Sequence, residues 1–387
     1  MLEYSLVAGL TSAGADAYIM HVTTTASVSY IARTDGFDCG IMISASHNGF
    51  CDNGIKLIGP GGEKLDDGVI SGLENYLDSP SERAGGRIIS GEKLGRSVDY
   101  VSGRNRYIGH LISMSACSFK GYRIGLDCAN GSAWQIAKSV FDALGARTYV
   151  LGGEPDGFNI NESGSTKPAA LCSLVRREGL DMGFAFDGDA DRCIAVDERG
   201  EVVDGDGELF ILANMLRRSG EGGGVVCTVM SNSALISALT ARGMPCYVTK
   251  VGDRYVYMEM CRSGAPLGGE KSGHIIISKY GVSGDGLVTA IKLLECAAEH
   301  GKTLSQLVRG YEPLPQVQLS VPVRNRQEAE SAAFSAFCER VRVEEGCARL
   351  IVRPSGTEPV IRLMAEGATQ EMCERCLSRV EERLRSL

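Results

Sequence analysis

The sequence predicts an α/β protein of several domains, and three observations carry that expectation. The chain has 387 residues, which at about 100 to 200 residues per domain is too long for one ordinary core. Strand-like apolar runs alternate with helical patterns through most of its length, the signature of sheets that are largely parallel or mixed. Its 49 glycines follow no period, as expected of a fold with many tight loops.

The strand-like runs are, in order, GIMISA (40–45), YRIGLDCA (122–129), MGFAF (182–186), CIAVD (193–197), GGVVCTVM (223–230), HIIIS (274–278), RLIV (349–352) and VIRLMAEG (360–367). Each is a short apolar stretch bounded by turn residues, the pattern of a buried strand. Polar or proline-bearing stretches around residues 95–105, at DERGE (197–201) and at YEPLPQ (311–316) mark boundaries. They divide the chain into 1–99, 100–198, 199–312 and 313–387, the last segment being a small lobe of strand, loop, strand and helix. No short-period repeat is visible.

Composition excludes several classes. A net charge of −8 and a pI near 5.4 argue against nucleic acid or an anionic membrane as partner. Glu3 stands where an export signal would be basic, and no apolar run approaches the ~20 residues that span a bilayer. A cytoplasmic protein is expected. Its fourteen cysteines are irregularly spaced, which favours free thiols in a reducing compartment. The only CxxC, Cys373 with Cys376, lies in an amphipathic helical pattern without a second Cys or His pair and reads as a bystander.

Four loops carry the chemistry. In "ISASHNGFCDNGIK" (43–56), Ser46 follows an apolar run and heads a polar loop, where a rigid element fixes a hydroxyl and a loop exposes it. The flanking Ser44 and Asn48 exclude a G-x-S-x-G nucleophile elbow, so a reactive serine and a plain polar turn both stay open. His47 is not taken as its base, because neighbouring side chains on an extended loop diverge. In "AFDGDADRCIAVD", Asp187, Asp189 and Asp191 alternate between two apolar runs. Three carboxylates so close repel one another unless a cation absorbs the charge, and oxygen ligands suit Mg²⁺; a solvated acidic turn is the alternative. An EF-hand fails, since Arg192 stands at the sixth position, where glycine is needed. In "GGEKSGH" (268–274), glycines permit close approach of a ligand, while Glu270 and Ser272 suit sugar hydroxyls; a Gly-rich hairpin is the alternative. His274 is either a proton-transfer group or structural. In "RPSGTEPVIR" (353–362), Arg353, Ser355, Thr357, the amides around Gly356, and Arg362 form the kind of nest that holds a phosphate; a hairpin turn is the alternative.

Taken together and in this order, the four loops resemble those of the α-D-phosphohexomutase family, and "DCANGSA" (127–133) and "NINESGST" (159–166) extend the resemblance along the chain. It is closest to the branch that interconverts glucosamine 6-phosphate and glucosamine 1-phosphate on the route to UDP-N-acetylglucosamine, through "ISASHN" and "KVGDRYV" (250–256). The resemblance implies three related α/β domains with mixed sheets, the first of them incomplete, and a smaller C-terminal α+β domain of TATA-binding-protein-like fold. It implies an isomerase that carries phosphate on Ser46. One Mg²⁺ would be held by Asp187, Asp189 and Asp191 with a phosphoryl oxygen of Ser46, and a sugar bisphosphate would serve as intermediate and activator. Lys56 and His274 match positions for proton transfer and charge stabilisation, and Arg192 faces the phosphoryl group. Glu270 and Ser272 read the sugar hydroxyls, and Arg353, Ser355, Gly356, Thr357 and Arg362 grip the phosphate that is not reacting. A homodimer is also implied.

Three departures qualify this. The family begins with a GTDGIRG-like strand and a second ending in KDTR, and neither is present. On the order of fifty residues, about half an ordinary domain, are therefore missing relative to the family, consistent with a start codon placed too late; the first sheet is expected to show open edges. A chain lacking them is alternatively an inactive sugar-phosphate-binding remnant. Gly49 replaces the usual proline after SASHN and loosens the loop. Lys271 stands at a normally uncharged position, which leaves a glucose or mannose phosphate mutase as the rival substrate reading.

Overall fold

The computed structural model describes residues 1–79, 89–323, 331–354 and 360–385. The chain divides into two units, the first comprising 1–229 and 244–309 and the second 230–243 and 310 onward.

The first unit holds three α/β segments. In the first of these, β1 (Ala17–Ile19), β2 (Gly40–Ile43), β3 (Ile55–Ile58) and β4 (Ser97–Asp99) form two separate pairs, β1 parallel to β4 and β2 antiparallel to β3. The helix Thr25–Asp35 starts at Thr24, whose side chain accepts from the Ser27 N–H, and ends at Gly36 in the left-handed conformation. Its Val28 and Ala32 pack on Met42 and Ile58. Between the two strand pairs lies an open cavity of about 870 Å³, lined by Leu6, Leu10, Ile19, Ile31, Met42 and Trp134 among others. The helix Leu2–Ser12 buries none of its residues.

The second segment is a mixed five-stranded sheet in the order β6-β5-β7-β8-β9. Its strands are β5 (Arg123–Asp127), β6 (Arg147–Leu151), β7 (Met182–Phe186), β8 (Cys193–Val196) and β9 (Val202–Val203). β6, β5 and β7 run parallel, β8 returns antiparallel to β7, and β9 runs antiparallel to β8. Every residue of β7 and β8 is buried, which is why both read as unbroken apolar runs. Phe184 and Phe186 are wholly buried, each contributing about 1.5–3 kcal/mol by removal from water. The third segment repeats the plan with β10 (Val225–Thr228), β11 (Cys246–Thr249), β12 (Leu267–Gly269) and β13 (Ile275–Ile277), ordered β11-β10-β12-β13 and closed by the antiparallel β12–β13 pair. The helix Gly286–His300 is buried along most of its length and capped by Asp285.

In the second unit, β14 (Gln316–Pro322), β15 (Arg349–Pro354) and β16 (Val360–Glu366) make an antiparallel sheet with β16 central. Its core joins Val321, Ile361 and Leu363 to Phe334, Val341, Leu377 and Val380 of the helices Ala332–Glu345 and Gln370–Arg385. Cys373 and Cys376 face this core, and burial pushes their thiols up to about 11 and about 12. Residues 230–243 join this unit through Glu366, which accepts from the Ser233 N–H at 3.2 Å and from Gln316 Nε2 at 2.6 Å. Among the described residues, no helix is long and apolar enough to cross a membrane.

Candidate active site

Three antiparallel hairpins of the first unit present the reactive loops. Residues 44–54 join β2 to β3, 187–192 join β7 to β8, and 270–274 join β12 to β13. Each loop thus occupies the same topological place in its segment. Two glycines let them meet. A Cβ on Gly188 would lie 2.6 Å from the Ser46 carbonyl oxygen, and one on Gly273 would lie 1.9 Å from that of Cys193, so only glycine permits the approach.

Ser46 sits in a left-handed turn with φ 54. Its N–H donates to Ser44 Oγ at 2.8 Å and its hydroxyl donates to Asp187 Oδ2 at 2.9 Å. His47 Nδ1 lies 3.4 Å from Ser46 Oγ, contrary to the expected divergence. That expectation holds for extended backbone, whereas a left-handed residue gathers neighbouring side chains. Burial and Arg192 lower the His47 pKa, so its ring is neutral near pH 7.

The carboxylates of Asp187, Asp189 and Asp191 are buried, with one oxygen of each within 4.8 Å of the others. Asp189 Oδ1 and Asp191 Oδ1 are buried without a hydrogen-bond partner. Burial and the facing carboxylates of Asp191 and Asp189 push Asp187 up to about 8. Asp191 is held well below the usual carboxylate range, because His274, Lys56 and Arg192 outweigh the effect of burial. Orphaned hard oxygens on a like-charged triad fit a divalent cation such as Mg²⁺. A cationic side chain already stands there. The Lys56 ammonium pairs with Asp189 Oδ2, and with Asp191 Oδ2 at 3.1 Å. Burial acts to lower the Lys56 pKa, but the two aspartates hold it above the usual lysine value.

Arg192 donates its N–H to Asp187 Oδ1 at 3.2 Å, and its Nε lies 3.9 Å from Asp191 Oδ1. His274 is buried, with Nδ1 3.7 Å from Asp191 Oδ1 and Nε2 3.5 Å from Asp253 Oδ2. The Gly284 N–H donates to Nε2 at 3.1 Å, which leaves the proton of the neutral ring on Nδ1, toward Asp191. Burial lowers the His274 pKa, yet Asp191 and Asp253 raise it above the ordinary value. Glu270 accepts the Gly252 N–H at 2.9 Å, at the start of the helix Asp253–Ser263. Ser272 is half-buried on the same turn. The Lys271 ammonium lies 3.7 Å from the Asp204 carboxylate, so its charge is countered.

In the second unit, Arg353 and Arg362 are cross-strand partners on β15 and β16. They line a cavity of about 120 Å³ with Gln318 and Ser320. Ser355, Gly356 and Thr357 lie outside the described residues.

The sequence reading missed three contributors. Thr25, in the first turn of its helix, donates its hydroxyl to Asp189 Oδ2. Asp253 pairs with Lys64 beside His274. Asn161 holds the Ser46 loop. The N-capping pattern TTTAS hinted at the first; the other two lie in KVGDRYV and NINESGST, segments that marked the resemblance without assigning either residue a part, because their contacts are to loops distant in sequence.

A serine hydroxyl on an acidic cation site, backed by lysine, arginine and histidine and carried on repeated α/β segments, is the apparatus of a phosphoryl-transfer enzyme working on small molecules. The chain belongs to the phosphoglucomutase/phosphomannomutase family, the α-D-phosphohexomutases. The family's α/β/α domain I matches residues 1–84, domain II 105–200, domain III 204–314 and the C-terminal domain 318–383. Its relatives include the phosphoglucosamine mutase of Lachnospira eligens, 52% identical over all of this chain and 86% of that one. The phosphoglucosamine mutase of Lachnoclostridium phytofermentans is 50% identical over 97% of this chain and 84% of its own. Among solved structures, a phosphoglucomutase/phosphomannomutase family protein from Burkholderia thailandensis has the same fold, with a TM-score of 0.79 at 23% identity over 99% of this chain and 86% of that one. The N-acetylphosphoglucosamine mutase of Aspergillus fumigatus, solved with GlcNAc-6P and magnesium, matches with a TM-score of 0.72 at 19% identity over 94% and 92%.

Proposed function

We propose that this chain interconverts glucosamine 6-phosphate and glucosamine 1-phosphate for UDP-N-acetylglucosamine synthesis, using a phosphoserine at residue 46 and a bisphosphate intermediate. The observation that carries the mechanism is the 2.9 Å hydrogen bond from Ser46 Oγ to Asp187 within the acidic triad. Mg²⁺ held by Asp187, Asp189 and Asp191 would neutralise charge on the phosphoryl group at Ser46. In the forward half-reaction the P–O bond to Ser46 Oγ breaks as a P–O bond to the sugar hydroxyl forms, and the hydroxyl's proton ends on Ser46 Oγ. His47, whose Nδ1 lies 3.4 Å from that oxygen, is placed to relay it. Lys56 stays an ammonium and, with Arg192, stabilises the transferring oxygens, because a loose transition state needs charge and alignment more than a strong base. His274 stands beside Asp191, with Nδ1 3.7 Å from Asp191 Oδ1.

Arg353 and Arg362, with Ser355, Gly356 and Thr357, would hold the spectator phosphate, and Glu270 and Ser272 the ring hydroxyls. The bisphosphate then presents its other phosphate to Ser46, and free sugar bisphosphate would prime an unphosphorylated enzyme. The pairing of Lys271 with Asp204 removes the repulsion that would disfavour a protonated amino sugar. Peptide mass spectrometry of the isolated protein should find phosphate on Ser46, and turnover should be fastest with glucosamine phosphate against glucose and mannose phosphates. Activity that survives Ser46→Ala would sink the mechanism, and a preference for glucose or mannose phosphate would sink the substrate assignment.

A further inference from the structure

The loop that carries Ser46 is held by a residue to which nothing so far assigns a part. Residues 49–53 are exposed, and Gly49 has no atom within 4 Å of where a Cβ would stand, so the loop has little packing of its own. Ser46 is nevertheless kept at φ 54, a conformation that costs a non-glycine residue about 1–2 kcal/mol. Besides the bonds of Ser46 to Ser44 and Asp187 and the edge-on contact of Phe50 with Phe158, the backbone of the loop is held by Asn161. Its Nδ2 donates to the Ser46 carbonyl oxygen at 2.8 Å and to the Asn48 carbonyl oxygen at 2.7 Å. Two carbonyl oxygens facing one terminal atom require that atom to be the NH₂ group.

Asn161 is itself anchored. It is 5% exposed, its N–H donates to the Ala129 carbonyl at 2.9 Å, and its carbonyl accepts from Lys167 Nζ at 3.1 Å. It also sits at φ 59, which asparagine tolerates better than most residues. A Cβ on Gly188 would lie 3.0 Å from Asn161 Nδ2. The side chain therefore occupies the seam where the serine loop meets the acidic loop.

We propose that Asn161 is a positioning residue for phosphoryl transfer, fixing through the carbonyls on either side of His47 the direction in which Ser46 Oγ points at the acidic loop. This rests on the reading of Ser46 as the phosphate carrier. Asn161 touches no reacting atom; removing its donors lets the oxygen wander, and a displacement near 1 Å is enough to cost about 100-fold in rate.

The experiment compares the wild-type chain with Asn161→Asp and Asn161→Gly. The first keeps the shape but sets an oxygen against two carbonyls. The second keeps the left-handed backbone without strain and removes the donor. Ser46 phosphate is read by peptide mass spectrometry, turnover with glucosamine 1-phosphate and its bisphosphate, and loop motion by hydrogen exchange. Both variants should lose about 100-fold in kcat with KM within about threefold, and faster exchange should be confined to peptides covering 44–54. A kcat within about threefold of wild type overturns the proposal. So does a loss accompanied by faster exchange throughout β5–β8, which would mark a merely structural role. Absence of phosphate on wild-type Ser46 under bisphosphate would instead overturn the phosphoserine reading on which the proposal rests.

Discussion

At the scale of single residues, the acidic triad makes cation binding a proton exchange. Asp187 titrates at about 8 in the metal-free fold, against 3.8 for a free aspartate. A raised folded-state value means that the fold holds the extra proton between these limits. The stability tied to this group is therefore full below about pH 3.8 and declines as pH rises toward 8, until a cation replaces the proton. Between pH 6 and 8 the apparent affinity for Mg²⁺ should rise about tenfold per pH unit and then level off, since one proton is displaced per ion. Calorimetric titration across that range checks it, and a flat profile would show that Asp187 is already ionised. The triad was legible because three carboxylates at alternate positions between apolar runs form a local pattern, whereas Ser46 stood out only through the family resemblance. Thr25 and Asn161 were not legible: Asn161 acts on a carbonyl 115 positions away, and no local pattern encodes which loops will meet. The His47 contact was missed because a left-handed turn at a serine has no reliable local signal.

Among the elements, buried strands were read most easily. MGFAF and CIAV emerge as β7 and β8, and III as β13, since burial on both faces demands unbroken apolar runs. The three-residue strands β1 and β4 have no such pattern and are set by pairing with each other. The joints between helices were equally hidden. Asp285 caps the helix Gly286–His300 by accepting from the Leu287 and Val288 N–H groups at 3.0 and 3.1 Å, and also accepts from Tyr107 Oη at 2.7 Å. It thereby ties that helix to Val101–Ser113. Asp285→Ala should destabilise the protein by about 2–4 kcal/mol, combining a lost cap with a phenol hydroxyl deprived of a partner. Tyr107→Phe, which keeps the cap, should cost less. Urea unfolding of the two variants at neutral pH gives the comparison, and equal losses would refute this division of the joint.

Over the whole molecule, the fourteen cysteines are unpaired, and Cys39, Cys51 and Cys261 are the exposed ones. A thiol reagent should modify these three first, and the wholly buried Cys128, Cys193 and Cys373 should react only after denaturation. Reductant should leave the melting temperature unchanged; a shift would reveal a disulfide. The repeat of one sheet plan was expected from the family resemblance and not from any visible sequence repeat, because hairpin topology is kept while side chains diverge. The ammonium of Lys56 has a wider consequence. By resting between Asp189 and Asp191, it spares the metal-free protein a bare knot of negative charge. An ion entering among these carboxylates would compete with that ammonium, so loading is expected to be an exchange of one cation for another rather than the filling of a bare anionic site.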